Sequence, residues 1–312
     1  MNRETDVVDT MRISIRTFIP TLAAAMALTM VGCGGGGNGS VPEPTGNPHL
    51  VSADAVINSP KSLIQSSGFV FVANQNGIGL NGVLSIDSND QLRKVGFTGL
   101  TNAIGLAASP AGVVYVSAIP SSGLPSITTL TPVALALPIG SHYGFMFDAN
   151  ANLYAADVST TGGRTPTIGF SSASGYSSWS GNISNSGTPK GFAYKNGFIY
   201  FTTDEGDIYK ITQGTTSVTK LVLSGLALEK PNGIAFDGEV MYVVNYGAVG
   251  GASSWIAKIT NESVVTEFKR DPNWLCASAG IAVRGNYVYV SNGTATSTGC
   301  GNIQNTIVKF FH

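Results

Sequence analysis

A short pattern of apolar and polar positions recurs six times between residues 62 and 312. Each copy has an apolar strand, a polar turn, a second strand centred on an aromatic residue, a loop and a third apolar strand. Short strands separated by Gly, Asn, Asp and Ser are typical of an all-β protein. The copies begin at Ser62, Gly105, Gly144, Gly191, Gly233 and Gly280.

The aromatic residue of the second strand sets the period of the repeat. Its successive separations are 44, 39, 46, 42 and 47 residues. Repeats of this length are typical of propeller blades. An open pair of β-sheets is the alternative fold, but it does not require an aromatic residue to recur in register. The six aromatic positions are Phe71, Tyr115, Tyr154, Tyr200, Tyr242 and Tyr289.

Further strands follow the second strand in each copy. Nearly continuous apolar runs predict strands that are buried on both faces between neighbouring blades. The predicted third strands are residues 82–86, 127–130, 167–170, 207–211, 255–259 and 306–310. Outer strands are predicted at residues 92–97, 217–223 and 263–268.

The two ends of the repeat region complement each other. The sixth copy stops at His312 without an outer strand, and residues 49–57 form an apolar strand with no blade of their own. Pairing these two segments closes the ring and removes two exposed edges. The sequence therefore predicts an all-β fold, a six-bladed β-propeller over residues 49–312, closed by pairing of the N-terminal strand with the last blade.

Composition and charge exclude one class of partner. The chain has 39 Gly and 11% charged residues, and its 17 Lys and Arg against 18 Asp and Glu give a net charge of −1. A nucleic-acid-binding surface needs a cluster of basic residues, and residues 49–312 contain no basic run. We therefore expect no nucleic-acid partner.

The first residues have the features of an export signal. From Met11, Arg12 and Arg16 form a basic segment, and residues 17–31 form an apolar stretch too short to span a bilayer. The ten residues before Met11 are acidic, which is the wrong charge for a signal peptide. We therefore expect a signal peptide over residues 1–32, with Met11 as the true start.

The end of this segment, Met30-Val31-Gly32-Cys33, resembles the lipobox of bacterial lipoproteins. The resemblance implies that Cys33 is lipidated and that residues 33–48, rich in Gly and then Pro, are a flexible tether. Ordinary secretion with a free Cys33 is the alternative. With a lipid anchor, we expect the protein in the cell envelope, attached to a membrane on the periplasmic side of the outer membrane.

Two cysteines remain within the propeller region. Cys276 and Cys300 form an even pair in a chain expected in an oxidising compartment, which predicts a disulfide. Metal binding is the alternative, but neither cysteine has a nearby His at the spacing of a zinc site.

The blade sequences resemble a known group of proteins. Residues 231–237, PNGIAFD, followed by 241–245, MYVVN, resemble the NHL-repeat propellers and the related gluconolactonase-like propellers. The likeness extends over nearly all of residues 49–312. That group includes calcium- or zinc-dependent lactonases, carbon–oxygen lyases and binding proteins, so fold analogy alone does not select an activity.

The residue before each repeat start is expected to line the central channel. These residues are Lys61, Ile104, Tyr143, Lys190, Asn232 and Ala279. The resemblance implies a divalent cation held at such positions by Glu, Asn and Asp. Only Asn232 matches that set, and a lysine ammonium opposes a dication, so we predict no metal and no cofactor.

His142, next to Tyr143, is the one histidine that we expect to face the channel. A loop histidine bonded to backbone or water is favoured over a catalytic base, because the repeat pattern supplies no partner carboxylate. We predict no catalytic residue. The alternative is a lactonase-like or lyase-like enzyme that uses His142 or a metal near Asn232.

Lys61 and Lys190 belong to blades 1 and 4, which face each other across a six-fold ring. Together with Tyr143, Asn232 and His142 they would offer hydrogen-bond donors to an anionic or polyhydroxylated ligand; the alternative is that both amines only contact channel water.

The loops leaving the second strands extend from the same face, at residues 119–126, 159–166, 246–254 and 293–305. We expect a binding or scaffold protein whose partner at this face is a protein, a carbohydrate or an anionic small molecule.

Overall fold

A computed structural model describes most of the predicted propeller region. No helix of the described part is long and apolar enough to cross a membrane. The predicted signal peptide, Met11, Cys33 and the tether up to residue 47 lie outside the described residues. The structure describes residues 48–312 except 53–56, 76–81, 96–99, 101, 119–125, 130–143, 158–166, 173–174, 180–186, 216, 248–252 and 295–297.

The described strands form six sheets, which we number as blades 1 to 6. Within each blade, consecutive strands pair antiparallel, as expected for strands joined by short hairpins. From the axis outward, the strands are Pro60–Ser66, Phe69–Asn74, Gly82–Ile86 and Leu92–Val95 in blade 1; Ala103–Ala108, Val114–Ala118 and Ser126–Thr129 in blade 2; Phe145–Phe147, Leu153–Asp157, Thr167–Ser172 and Gly175–Trp179 in blade 3; Pro189–Lys195, Phe198–Thr203, Ile208–Thr212 and Val218–Lys220 in blade 4; Pro231–Asp237, Val240–Asn245, Trp255–Thr260 and Val264–Arg270 in blade 5; and Ser278–Arg284, Tyr287–Asn292, Thr306–Phe311 and His49–Ser52 in blade 6.

Two further elements were not predicted. A two-residue strand, Ser224–Gly225, pairs in parallel with the outer strand of blade 5. A 3-10 helix, Thr298–Ile303, precedes the third strand of blade 6.

The six blades form a closed ring. The inner strands contact one another in the order 1, 2, 3, 4, 5, 6 and back to 1. The N-terminal strand pairs antiparallel with the third strand of blade 6, with His49 opposite Lys309 and Leu50 opposite Val308. The prediction of a six-bladed propeller closed by its N-terminal strand is therefore confirmed.

The repeat glycines allow neighbouring inner strands to approach closely. A Cβ atom at Gly191 would lie 2.2 Å from the carbonyl oxygen of Asn232, and one at Gly144 would lie 2.1 Å from that of Lys190. Any side chain at these positions would force the strands apart. The glycine that begins most copies is therefore required where one inner strand meets the next.

The aromatic residue of the second strand joins each blade to the next one. Tyr154, Tyr200, Tyr242 and Tyr289 have buried rings. Three of their hydroxyl groups reach the turn before the outer strand of the following blade. The bonded pairs are Tyr154 Oη with Gly214 N (3.1 Å), Tyr200 Oη with Glu262 Oε1 (2.5 Å) and Tyr289 Oη with Asp90 Oδ1 (3.0 Å). In blade 5, the ring of Tyr242 instead contacts the ring of His312, with centroids 5.4 Å apart.

Charged groups strengthen two of these contacts between blades. Lys210 donates to Glu262 at 2.7 Å, and Arg284 donates to Asp90 at 3.0 Å. Burial opposes ionisation of Glu262, but the hydrogen bonds from Lys210 and Tyr200 outweigh it and lower the pKa of this carboxyl group. Burial raises the pKa of Tyr289 to about 12.

Candidate functional site

A small polar cavity lies where the inner strands begin; we call it the upper cavity. Its volume is about 50 Å³. Of the six residues predicted to line the channel, it is lined by Lys61, Lys190, Asn232 and Ala279. Ile104 does not line this cavity and is buried. Tyr143 and His142 lie outside the described residues.

Lys61 is a half-buried cation in this cavity. Burial lowers the pKa of its ammonium group, because a charge that loses contact with water is less stable. Within the described part of the chain, Lys61 has no ion pair or hydrogen bond from its side chain. An anion placed beside Lys61 would offset the cost of its burial.

Lys190 differs from Lys61 because it has a carboxylate partner. Its ammonium nitrogen lies 3.3 Å from Oδ2 of Asp204, while Oδ1 of Asp204 accepts the backbone N–H of Thr188 at 2.6 Å. Asp204 was not among the residues predicted to line the channel. The sequence nevertheless indicates a role for Asp204, because this residue directly follows the second strand of blade 4, close to the position where other blades have Asn.

Asn232 is held in place by its neighbour in the ring. Its carbonyl oxygen accepts a hydrogen bond from Thr202 Oγ1 at 2.5 Å, and the same hydroxyl accepts the N–H of Gly191 at 3.0 Å. The hydroxyl therefore links the inner strands of blades 4 and 5 at the level of the upper cavity. This contact fixes the backbone from which Asn232 presents its side-chain amide.

A larger polar cavity adjoins the upper cavity; we call it the outer cavity. It has a volume of about 380 Å³, and Lys190 and Asn232 line both. The cavity contains two carboxylates, two ammonium groups, an amide and a phenol, which can bind a ligand with several hydroxyl groups. The lining residues are Lys190, Asp204, Glu205, Lys230, Pro231, Asn232 and Tyr246.

An apolar layer lies below the upper cavity. It consists of the side chains that follow the repeat start by one position: Leu63, Leu106, Phe145, Phe192, Ile234 and Ile281. All six are buried. Four of them, those of blades 1, 4, 5 and 6, also line a separate lower cavity of about 440 Å³ at the opposite end of the inner strands. The apolar layer therefore stands between two cavities of different chemistry.

Cys276 and Cys300 form a disulfide, with Cα atoms 5.7 Å apart. The bond connects the segment entering blade 6 to the 3-10 helix in the loop before its third strand. Tyr246 and Ile303 pack against it, so the disulfide lies beside the outer cavity. Most of the other loops predicted at this face lie outside the described residues.

Metal-ligating side chains are not clustered in the described part of the chain. Its His, Cys, Asp and Glu residues form no group of three or more that could hold a metal ion. His312 lies near the hairpin turn of blade 6, with Nε2 3.1 Å from the carbonyl oxygen of Gly285. His49 belongs to the closing strand.

Comparison with known proteins places this architecture among solved propellers. No protein-family model and no curated protein sequence matches the chain. A gluconolactonase from Xanthomonas campestris is similar in structure, with a TM-score of 0.60 and 8% identity over 85% of this chain and 89% of that one. The chain has the gluconolactonase-like propeller fold.

Other solved structures with this propeller fold are different kinds of protein. An auxiliary nutrient binding protein from Bacteroides thetaiotaomicron aligns with a TM-score of 0.59 and 10% identity over 81% of this chain and 69% of that one. An aldose sugar dehydrogenase from Streptomyces coelicolor aligns with a TM-score of 0.54 and 14% identity over 84% and 96% of the two chains. These identities show the propeller fold alone, and the activity has to be argued from the site.

Proposed function

We propose that this propeller is a non-catalytic binding protein of the cell envelope that holds a small polar ligand through an anionic group. The observation that carries the proposal is Lys61, a half-buried ammonium group in the upper cavity without a carboxylate partner in the described part of the chain. A ligand carboxylate or phosphate would supply the missing countercharge. Its charge-assisted hydrogen bond to Lys61 would fix the ligand's orientation.

The rest of the ligand would occupy the outer cavity. Asp204 and Glu205 can accept hydrogen bonds from ligand hydroxyl groups, and Asn232 can both donate and accept. Tyr246 adds an aromatic ring of the kind that contacts sugars. A sugar acid combines these features, since it carries one carboxylate and several hydroxyl groups. The fold shared with a nutrient binding protein is consistent with such a ligand.

The decisive experiment is calorimetric titration of the full-length protein with gluconate and, separately, with uncharged glucose. We expect gluconate to bind more tightly than glucose. Lys61→Ala should weaken gluconate binding by roughly tenfold to hundredfold, as expected for a charge-assisted hydrogen bond of about 1.5–3 kcal/mol. Lys258→Ala is the matched control, because Lys258 lies on the third strand of blade 5 and lines neither polar cavity.

Two outcomes of this titration would refute the proposal. Undiminished gluconate binding by Lys61→Ala would remove the upper cavity as the anion site. Equal binding of gluconate and glucose would show that the charge of the ligand is not recognised.

Envelope attachment through a lipid on Cys33 belongs to the same proposal. It rests on the basic segment, the apolar stretch and the lipobox-like residues 30–33. Mass spectrometry of the mature protein should find an acylated N-terminal Cys33 and no residue before it. Cys33→Ser should release the protein from the membrane fraction. An unmodified protein that begins elsewhere would exclude the anchor.

A further inference from the structure

The lower cavity lies at the end of the inner strands farthest from Lys61, and all six blades contribute to its wall. Its volume of about 440 Å³ is within the range of small-molecule sites, roughly 300–1,000 Å³. The wall follows the repeat, because it includes the third residue after each repeat start. These residues are Gln65, Ala108, Phe147, Tyr194, Phe236 and Val283.

Among the described residues, the wall of the lower cavity contains no Lys, Arg or His and a single carboxyl group. Asp148 is the one ionisable carboxyl group among its lining residues, and it is fully buried. One oxygen of Asp148 accepts the N–H groups of Asn150 and Asn152 at 2.9 Å, and the other accepts the side-chain amide of Asn152 at 2.8 Å. Both oxygens of this carboxylate therefore already accept hydrogen bonds within its own turn. Neither is left without a partner to bind a ligand in the cavity.

The aromatic rings of the wall are held from behind by other rings. Phe192 stacks on Phe201 with centroids 5.5 Å apart, and Phe236 meets Tyr200 edge-on at 4.9 Å. The hydroxyl of Tyr194 donates to Gln213 at 2.9 Å. Rings fixed in this way do not have to lose conformational freedom when a ligand binds, so the cavity is preformed.

We propose that the lower cavity is a second ligand site, which takes a small uncharged molecule with an aromatic ring. The ring would contact Phe192, Tyr194 and Phe236 in edge-on or offset geometry, and Met146 can adjust its shape to it. A polar substituent would face the exposed amide of Gln65 at the rim. An anionic ligand would be disfavoured, because no cation lines the wall, and a cationic one would compete with the hydrogen bonds that Asp148 accepts within its own turn.

The test uses indole as the probe, an uncharged ring with one N–H donor. Saturation-transfer NMR and a calorimetric titration of the full-length protein should show saturable binding of indole. Ala108→Trp places a large side chain in the cavity wall and should abolish that binding. Ala227→Trp is the matched control, since Ala227 is exposed and does not line the lower cavity. It should bind indole like the original protein.

A second variant keeps the test decisive if Ala108→Trp fails to fold, as judged by its thermal unfolding curve. Ala149→Trp adds the same bulk at an exposed position on the rim and should also abolish indole binding. Lys61→Ala should leave indole binding unchanged, which separates this site from the upper cavity. Absence of saturable indole binding, or equal binding by the folded Trp variants and the control, would overturn the proposal.

Discussion

At the residue scale, three second-strand tyrosines, Tyr154, Tyr200 and Tyr289, each have two roles. The ring fills the space between blades, and the hydroxyl reaches the turn before the outer strand of the next blade. The sequence predicts the aromatic positions but not their polar partners, because those lie in another copy of the repeat. The sequence separation of the partners could have indicated these contacts, because it is nearly constant. Tyr154 and Gly214 are 60 residues apart, and Tyr200 and Glu262 are 62 residues apart.

We predict that Tyr200→Phe lowers the free energy of unfolding by about 1–3 kcal/mol, because the part-buried carboxylate of Glu262 loses one of its two donors and keeps only Lys210. Tyr115→Phe is the control, since the corresponding hydroxyl in blade 2 has no hydrogen bond among the described residues. It should change stability by less than about 0.5 kcal/mol. Urea unfolding of both variants measures the difference, and equal losses would contradict the assigned role.

The same scale explains what sequence could establish about the site. Lys61, Lys190 and Asn232 were found from their place in the repeat, and the structure brings them to one cavity. The ion pair of Lys190 with Asp204 was missed, because it depends on side-chain directions across a turn. Of the two lysines predicted to line the channel, only Lys61 therefore lacks a described partner.

At the element scale, inner and second strands were predicted better than outer ones. Apolar runs identify strands that are buried on both faces, whereas an outer strand has one face in water and a weaker pattern. The outer strand of blade 4 was predicted over residues 217–223 and spans only Val218–Lys220. The parallel strand Ser224–Gly225 was missed because two residues carry no pattern.

The disulfide joins two segments of blade 6 that are 24 residues apart in sequence. We predict that replacing both cysteines, Cys276→Ala with Cys300→Ala, lowers the free energy of unfolding by about 2–4 kcal/mol, since the unfolded chain gains freedom. Urea unfolding with and without a reducing agent provides the measurement. Reductant should destabilise the original protein and leave the double variant unaffected; the same response in both would argue against the bond.

At the scale of the whole molecule, closure of the ring was predictable because both chain ends were incomplete in complementary ways. The sixth copy lacks an outer strand, and the first strand of the repeat region has no blade of its own. Pairing the two completes the sixth blade. The structure shows this pairing, with His49 opposite Lys309. The lower cavity was not predicted, because its wall combines single residues from the far ends of six inner strands, and the space between them depends on how the blades pack.

Removing the closing strand should weaken the whole ring. We predict that a chain lacking residues 1–52 unfolds at a clearly lower temperature, and less cooperatively, than a chain lacking residues 1–47. The two differ mainly in the strand His49–Ser52, so the shorter deletion controls for loss of the N-terminal segment. Calorimetric unfolding curves compare them, and coincident curves would show that closure contributes nothing to stability.

The apolar layer of Leu63, Leu106, Phe145, Phe192, Ile234 and Ile281 has a consequence for the two proposed sites. These side chains border the upper cavity, whereas the residues that only the lower cavity contacts, such as Gln65, Tyr194 and Phe236, lie at the opposite end of the inner strands. Gluconate and indole should therefore be able to occupy one molecule at the same time, with neither competing for the other's place.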